Sequence, residues 1–251
     1  MRTARVAWAG AIHEARPEGG RLRLAGGPLL DEAEVVWLPP VEPGSVIALG
    51  LNYADHVKEL ARELAPTAAA EPLVFLKTPS ALLGHRGITP RPAHAQFMHY
   101  ECELAVVIGR AAVNVSEANA LQHVAGYTVA NDYAVRDDLE NWYRPNLRAK
   151  NRDRATVLGP WLVSADEVPD PQALALRTLV NGRVVQQGHT GQMVHGVAAL
   201  IAQLSSFMTL LPGDVILTGT PEGVSNVAVG DEVITEIDGI GRLINTIGAE
   251  D

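Results

Sequence analysis

Cysteine is nearly missing from this chain: Cys102 is the one example in 251 residues. No intrachain disulfide can therefore form, and a reducing compartment suits the protein. Long apolar runs are missing too, since none approaches the roughly 20 residues that a membrane-spanning helix requires. The start, Met1-Arg2-Thr3-Ala4-Arg5 followed by Val6 to Ile12, imitates a signal peptide. Its apolar part is short, however, and the polar His13-Glu14-Ala15-Arg16 follows at once. A first strand and a cytoplasmic protein are the expectation. Positive charge is scarce, with 20 Lys and Arg against 29 Asp and Glu for a formal charge of −9. That balance argues against nucleic acid or an anionic membrane as partner, and an anionic substrate would need a local basic pocket. There is no internal repeat, and no low-complexity tract beyond the short run Ala68 to Ala70. What remains, 47% hydrophobic and 20% charged, is ordinary for a globular chain with one sizeable core.

Residues 3 to 37 read as a small β unit. Val6-Ala7-Trp8 is a strand, Pro17-Glu18-Gly19-Gly20 a turn, Arg21-Leu22-Arg23-Leu24 alternates with period two, and Val35 to Leu38 is another strand. The proline-rich Pro39 to Gly44 breaks this pattern, so residues 1–43 are assigned to the small unit and 44–251 to the main domain. Ser45 to Leu51 is a short buried strand running into Gly50-Leu51-Asn52-Tyr53-Ala54-Asp55-His56. A helix should follow, with Val57, Leu60, Ala61 and Leu64 on one face. His56 and Glu59 are neighbours on that helix. By itself such a pair is an exposed ion pair of little consequence, although a helix dissolving into Ala65 to Pro72 can also act as a lid.

Leu73 to Lys77 reads as a strand and Gly84 to Phe97 as a loop. Ser116 is placed as the cap of a helix from Glu117 to Ala125, stopped by Gly126. Asn181-Gly182 marks a hairpin between Leu176–Val180 and Val184-Val185. Val197, Leu200, Ile201 and Leu204 mark an amphipathic helix, and the chain closes with a hairpin from Gly230 to Ile247. Thr218-Gly219-Thr220-Pro221-Glu222-Gly223 permits close backbone approach to a ligand. Without a lysine or a helix after it, this stretch makes a poor phosphate loop.

The richest stretch runs from His99 to Asp137. In a strand Glu101 and Glu103 project to one side and Cys102 to the other. Asp132 ends a second apolar run that starts at Val124. Three hard oxygen donors from two strand ends suit Mg²⁺, with Mn²⁺ or Ca²⁺ as alternatives, and leave open positions for water and substrate. Spacing alone does not choose between this and a solvated strand face, because a Glu-x-Glu pair is a weak motif. Behind Asp132 the chain carries Arg136, Arg144, Arg148, Lys150, Arg152 and Arg154, a basic cluster of the kind an anion pocket requires.

Together these stretches resemble the fumarylacetoacetate hydrolase family. The matching motifs are Gly50 to His56, Tyr100-Glu101-Cys102-Glu103-Leu104, Asn131-Asp132, Lys150 with Asp153, Gly159-Pro160-Trp161, Asn181-Gly182, Pro212-Gly213-Asp214 and Thr218 to Pro221, spanning residues 45 to 247. Met98 to Glu101 and Arg136 to Arg148 are similar to the branch that acts in 4-hydroxyphenylacetate breakdown, where two homologous halves are fused. Only one half is present here, which suggests a homodimer or pairing with a homologous subunit.

The resemblance implies a mixed β (α+β) fold, a β-roll with a few peripheral helices beside the small N-terminal β unit. It implies metal ligation by Glu101, Glu103 and Asp132, and Lys150 and Arg136 facing a 2-oxo di- or tricarboxylate. Lys150 would be oriented by Asp153, and His56 with Glu59 would form a proton-carrying pair. Arg144 would assist Arg136, while Tyr143 and Thr220 would touch substrate oxygens. The implied reactions are decarboxylation of 5-oxopent-3-ene-1,2,5-tricarboxylate and isomerisation of 2-oxohept-3-enedioate, which share a dienolate. Acylpyruvate hydrolysis and oxaloacetate decarboxylation on the same scaffold, or a non-catalytic subunit, are the alternatives.

Overall fold

The structure is a computed structural model of the chain that describes residues 1–53, 55, 72–139 and 146–250. The expected helix with His56 and Glu59, and the positions of Tyr143 and Arg144, lie outside the described residues.

Alternation of side chains builds the centre of the main sheet. Cys102–Ile108 pairs antiparallel with Val124–Asp132 on one side and with Val215–Leu217 on the other. The sheet continues through Val46–Gly50 to Leu73–Lys77, and on the opposite flank through Thr156–Ser164 to Arg2–Trp8. Cys102, Leu104, Val106 and Ile108 enter the large core, which also takes Leu200, Ile201 and Leu204 of the helix Val197–Phe207. Ala105 and Val107 point the other way, into a smaller core with Phe75, Ala130, Leu158, Val215 and Leu217. Because strand residues two apart share a face, Glu103, Lys77 and Asp132 project on the side of that smaller core. The polar site is thus an end of an apolar layer.

A second sheet runs in the order Arg183–His189, Ala175–Val180, Glu232–Ile237, Gly241–Ala249 and Ile88–Arg91. Asn181 and Gly182 both have positive φ, at 49° and 77°, as the two-residue hairpin turn requires. The closing hairpin forms as expected. Two local expectations fail. The segment Gly84 to Phe97 contains the strand Ile88–Arg91, which pairs with Gly241–Ala249 although it includes Pro90; as an outermost strand it tolerates a residue with no N–H. The helix at Glu117 stops at Ala120, Ser116 makes no side-chain cap, and a single 3-10 turn leads into the strand at Val124. Gly126 sits inside that strand because a Cβ there would lie 2.2 Å from the carbonyl oxygen of Val163. Close strand packing, not a helix stop, accounts for the glycine.

The N-terminal strands Arg2–Trp8, Ala11–Glu18, Arg21–Leu24 and Leu29–Leu30 form a meander, with Val36–Leu38 on the other side of the first. Val6, Ala15, Leu22, Leu24, Leu30 and Trp37 close a core of their own. Arg2 and Thr3 pair with Val163 and Leu162, and Trp37 meets Trp161 edge to face at 5.3 Å. The unit is therefore continuous with the main sheet through its first strand. Among the described residues no helix is long and apolar enough to cross a membrane.

Candidate active site

Glu101 immediately precedes the strand Cys102–Ile108, and Asp132 ends its neighbour. Backbone pairing fixes their approach: the Asp132 N–H donates to the Glu101 carbonyl at 3.0 Å, and the Asn131 side chain accepts from the Glu101 N–H at 3.0 Å. One carboxylate oxygen from each of Glu101, Glu103 and Asp132 lies within 4.8 Å of the others. All three are buried, Asp132 completely. The solvated strand face is thereby excluded.

Two lysines enter this group from different elements. Lys150 Nζ donates to Glu101 Oε2 and, at 3.0 Å, to Asp132 Oδ2. Lys77 Nζ, fully buried at the end of its strand, donates to Asp132 Oδ1 and to the Lys150 carbonyl. Glu103 is treated differently. Among the described residues its hydrogen-bond donor is the Gly219 N–H, at 2.7 Å. Gly219 reaches it with φ of +88°, and a Cβ there would lie 3.0 Å from that of Asn52, so the loop after Leu217 needs glycine at this point.

These surroundings separate the groups electrostatically. Burial opposes ionisation of Asp132, but the two lysines outweigh it and hold the carboxyl below its ordinary range. Burial, then repulsion from Asp132 and Glu101, pushes Glu103 well above that range. Burial also lowers Lys77 despite the Asp132 charge, whereas for Lys150 the three acids overcome burial and raise it. Three carboxylates against two ammonium groups leave one negative charge when all are ionised. A buried residue of that sign, made of hard oxygen donors, fits a divalent cation. Glu101, Glu103 and Asp132 could hold one.

Of the other residues named from the sequence that the structure describes, Arg136 and Thr220 connect to this group through neighbours. Arg136 Nε donates to His99 Nε2 at 3.2 Å, and His99 lies 3.6 Å from Glu101 through Nδ1. Burial pushes the His99 pKa down to about 4. Thr220 is buried one residue beyond Gly219, its hydroxyl accepting from Gln186 Nε2 at 2.9 Å. Asp153 is exposed and does not orient Lys150; Glu101 and Asp132 do. The described members of the basic cluster behind Asp132 divide: Arg148, Arg152 and Arg154 line one cavity, and Lys150 joins the acids. Arg148 and Arg152 bind Asp138 at 3.1 and 2.6 Å, while Lys150 turns inward. Successive helical residues rotate by about 100°, so Arg148 and Lys150 diverge.

Sequence reasoning missed Lys77, His99 and Asn52. A lysine closing the apolar strand Leu73-Val74-Phe75-Leu76 was the available signal for the first. Asn52 ties two loops together, donating to the carbonyls of Thr218 and His195 at 2.9 and 3.0 Å and accepting from the His195 N–H at 2.9 Å.

Comparison with known proteins agrees with this arrangement. The chain is 55% identical over 208 residues to the 4-hydroxyphenylacetate degradation bifunctional isomerase/decarboxylase of Salmonella dublin, covering 83% of this chain and 48% of that protein. It is 53% identical over 229 residues to the enzyme of the same name from Escherichia coli, covering 89% of this chain and 52% of that protein. The chain thus spans about half the length of these relatives. A solved structure of 5-carboxymethyl-2-hydroxymuconate delta-isomerase from Mycobacterium smegmatis superposes over the full length of both chains with a TM-score of 0.86 and 38% identity. A 2-hydroxyhepta-2,4-diene-1,7-dioate isomerase from Mycobacterium marinum does so with a TM-score of 0.84 and 36% identity, over 100% of this chain and 99% of that one. With residues 45–248 matching the family described as fumarylacetoacetate (FAA) hydrolase C-terminal, the chain belongs to the fumarylacetoacetate hydrolase family.

Proposed function

We propose that this protein is an enzyme that decarboxylates 5-oxopent-3-ene-1,2,5-tricarboxylate and isomerises 2-oxohept-3-enedioate to 2-hydroxyhepta-2,4-dienedioate, both with a divalent metal. The observation that carries the reading is the buried group of Glu101, Glu103 and Asp132, next to a lysine that already bridges two of them. The names of the relatives supply the substrate class. Held by these three acids, Mg²⁺ (or Mn²⁺ or Ca²⁺) would supply Lewis-acid polarisation of the 2-oxo and 1-carboxylate oxygens.

The remaining roles fall to this chain's own groups. In the tricarboxylate the departing carboxylate is conjugated through a C=C to the ketone. When CO₂ leaves, the bonding pair passes along that conjugation to the ketone oxygen and a dienolate results. Lys150, ammonium-charged beside Glu101 and Asp132, would face the oxygen on which that charge develops. Isomerisation removes a proton from carbon and places one on the same oxygen, so one electron sink serves both reactions. His56, tuned by Glu59, is assigned as the proton carrier. Arg136 and Arg144 would hold the remote carboxylates, and Tyr143 and Thr220 would touch substrate oxygens.

Incubating the purified protein with each substrate and Mg²⁺, while recording CO₂ release and dienoate absorbance in the ultraviolet, tests the reading. Turnover of both substrates is expected, lost with EDTA and restored by Mg²⁺. Turnover that survives EDTA, or that is confined to acylpyruvates or oxaloacetate, overturns it. Turnover only after adding a homologous subunit assigns this chain a non-catalytic part.

A further inference from the structure

Backbone pairing brings His99 and Arg136 together. Met98–His99 runs antiparallel to Ala134–Val135 with His99 opposite Ala134, and the Arg136 N–H donates to the Phe97 carbonyl at 2.8 Å. This short ladder sets the two side chains edge to edge, with Arg136 Nε 3.2 Å from His99 Nε2. Across the ring, Nδ1 lies 3.2 Å from the Tyr100 carbonyl oxygen and 3.6 Å from Glu101 Oε1. The histidine is 2% exposed.

The partners dictate where the imidazole proton sits. A guanidinium N–H can only donate, so His99 Nε2 must present its lone pair. A carbonyl oxygen can only accept, so Nδ1 must carry the hydrogen. Both contacts demand the same neutral Nδ1–H tautomer, and each would be lost in the other one. Arg136 is therefore anchored through Nε by a bond that substrate does not have to form, which lowers the ordering cost of the long side chain when a carboxylate binds.

We infer that His99 is a positioning residue for substrate length: it holds the Arg136 guanidinium one imidazole's breadth from the Glu101 corner of the acid group, and so selects 2-oxo acids that carry a second carboxylate at that reach. This rests on the proposed role of Arg136 in binding the remote carboxylate. His99 itself takes no part in proton transfer.

Three variants of the full chain, with Mg²⁺ present, test the inference against 2-oxohept-3-enedioate and its analogue 2-oxohept-3-enoate, which lacks the second carboxylate. His99→Asn is too short to offer Arg136 an acceptor, whereas His99→Gln can place an oxygen near the Nε2 position. His99→Asn should raise KM for the dicarboxylate about 10-fold to 100-fold, the loss expected for one hydrogen bond to a charged group. Its kcat should change much less, KM for the monocarboxylate should hold, and His99→Gln should recover most of the difference. Equal losses on both substrates, or a loss confined to kcat, overturn the inference. Arg136→Met separates the two levels. If it abolishes discrimination while His99→Asn keeps it, only the role of His99 falls; if it leaves discrimination intact, the assignment of Arg136 falls first. Independently of any variant's folding, long-range ¹H–¹⁵N spectra of histidine-labelled, unsubstituted protein should show Nδ1 protonated and Nε2 bare at His99. The opposite tautomer overturns the inference.

Discussion

Two clusters are centred on acids six positions apart, Asp132 and Asp138, and they are built in opposite ways. Around Asp132 stand Glu101, Glu103, Lys77 and Lys150, all buried, with acids in excess. Around Asp138 stand Arg148, Arg152 and His94, with cations in excess and two of them largely open to water. Arg152 reaches onward to Glu250 at 3.6 Å. In the second cluster solvent screens Arg148, whose side chain is 67% exposed, so its ion pair contributes little, whereas Arg152 is mostly covered where it meets the buried Asp138. In the first, burial keeps bulk solvent from dispersing the imbalance, so a residual negative charge must be met by another ligand or by a proton. Similar residue types thus tie a surface-facing segment together in one place and form an interior acid group that could hold a cation in the other. Burial and the sign of the excess make the difference.

Removing an interior acid should break the comparison most severely. Asp132→Ala or Glu103→Ala is expected to weaken Mg²⁺ binding by more than about 100-fold, beyond the range seen for residues that merely support ligands. Isothermal calorimetry measures it, and near-normal affinity would mean that the ion binds elsewhere.

Taking away a buried cation comes next. Lys77→Met leaves Asp132 with one ammonium partner fewer and should cost roughly 3–5 kcal/mol in urea unfolding of metal-free protein. Added Mg²⁺ should restore part of that stability by binding the folded state alone. A loss below about 1 kcal/mol would show that Lys77 acts as a spacer rather than as a counter-charge.

The direction of the pH response is a subtler test. Glu103 has a raised folded-state pKa, so its contribution is fully present below its unfolded value and is lost as pH rises through the folded one. Asp132 is lowered, so its contribution is present above its unfolded value and is lost only as pH falls through the folded one. Metal-free protein should therefore lose stability on going from the ordinary carboxylate range towards the raised pKa of Glu103. Saturating Mg²⁺ should remove that slope, and its binding at pH below that pKa should release a proton. Calorimetry in buffers of different ionisation enthalpy detects the proton; none released would place Glu103 outside the cation site.

The smallest effect belongs to the rim. Arg148→Ala should change stability by no more than about 0.5 kcal/mol and leave Mg²⁺ affinity unaltered. A change in that affinity would couple the two clusters and blur the distinction between them. The proposed boundary at residues 43 and 44 can be probed on the same scale of outcomes. Deleting 1–43 strips the Arg2–Trp8 partner from Thr156–Ser164 and uncovers Trp161, so the deletion should cost cooperativity in unfolding.

Much of the fold was legible because strand periodicity is local. Arg21 to Leu24 alternates between half-buried and buried, and Glu101, Cys102 and Glu103 divide between two faces as their spacing required. Where reading failed, the deciding neighbour was distant in sequence. Gly126 resembled a helix stop until the Val163 carbonyl stood against it. Proximity along the chain was also a poor guide to partners, since Arg148, Lys150 and Arg152 stand within five positions and meet different acids. Helical rotation and the position of Asp138 divide these three.

By itself the sequence determined the strand faces and the hairpin at Asn181-Gly182, since each depends on residue type at short spacing, while motifs spread along the chain pointed jointly to the family and to the three acids. Only the tertiary structure decided which charges meet. Lys77 reaches Asp132 from 55 positions away and the Gly219 amide reaches Glu103 from 116, because sheet order sets those separations and no local pattern records it. The same holds for the balance of charge in the site, since an electrostatic interaction is governed by distance through space and by the water excluded around it.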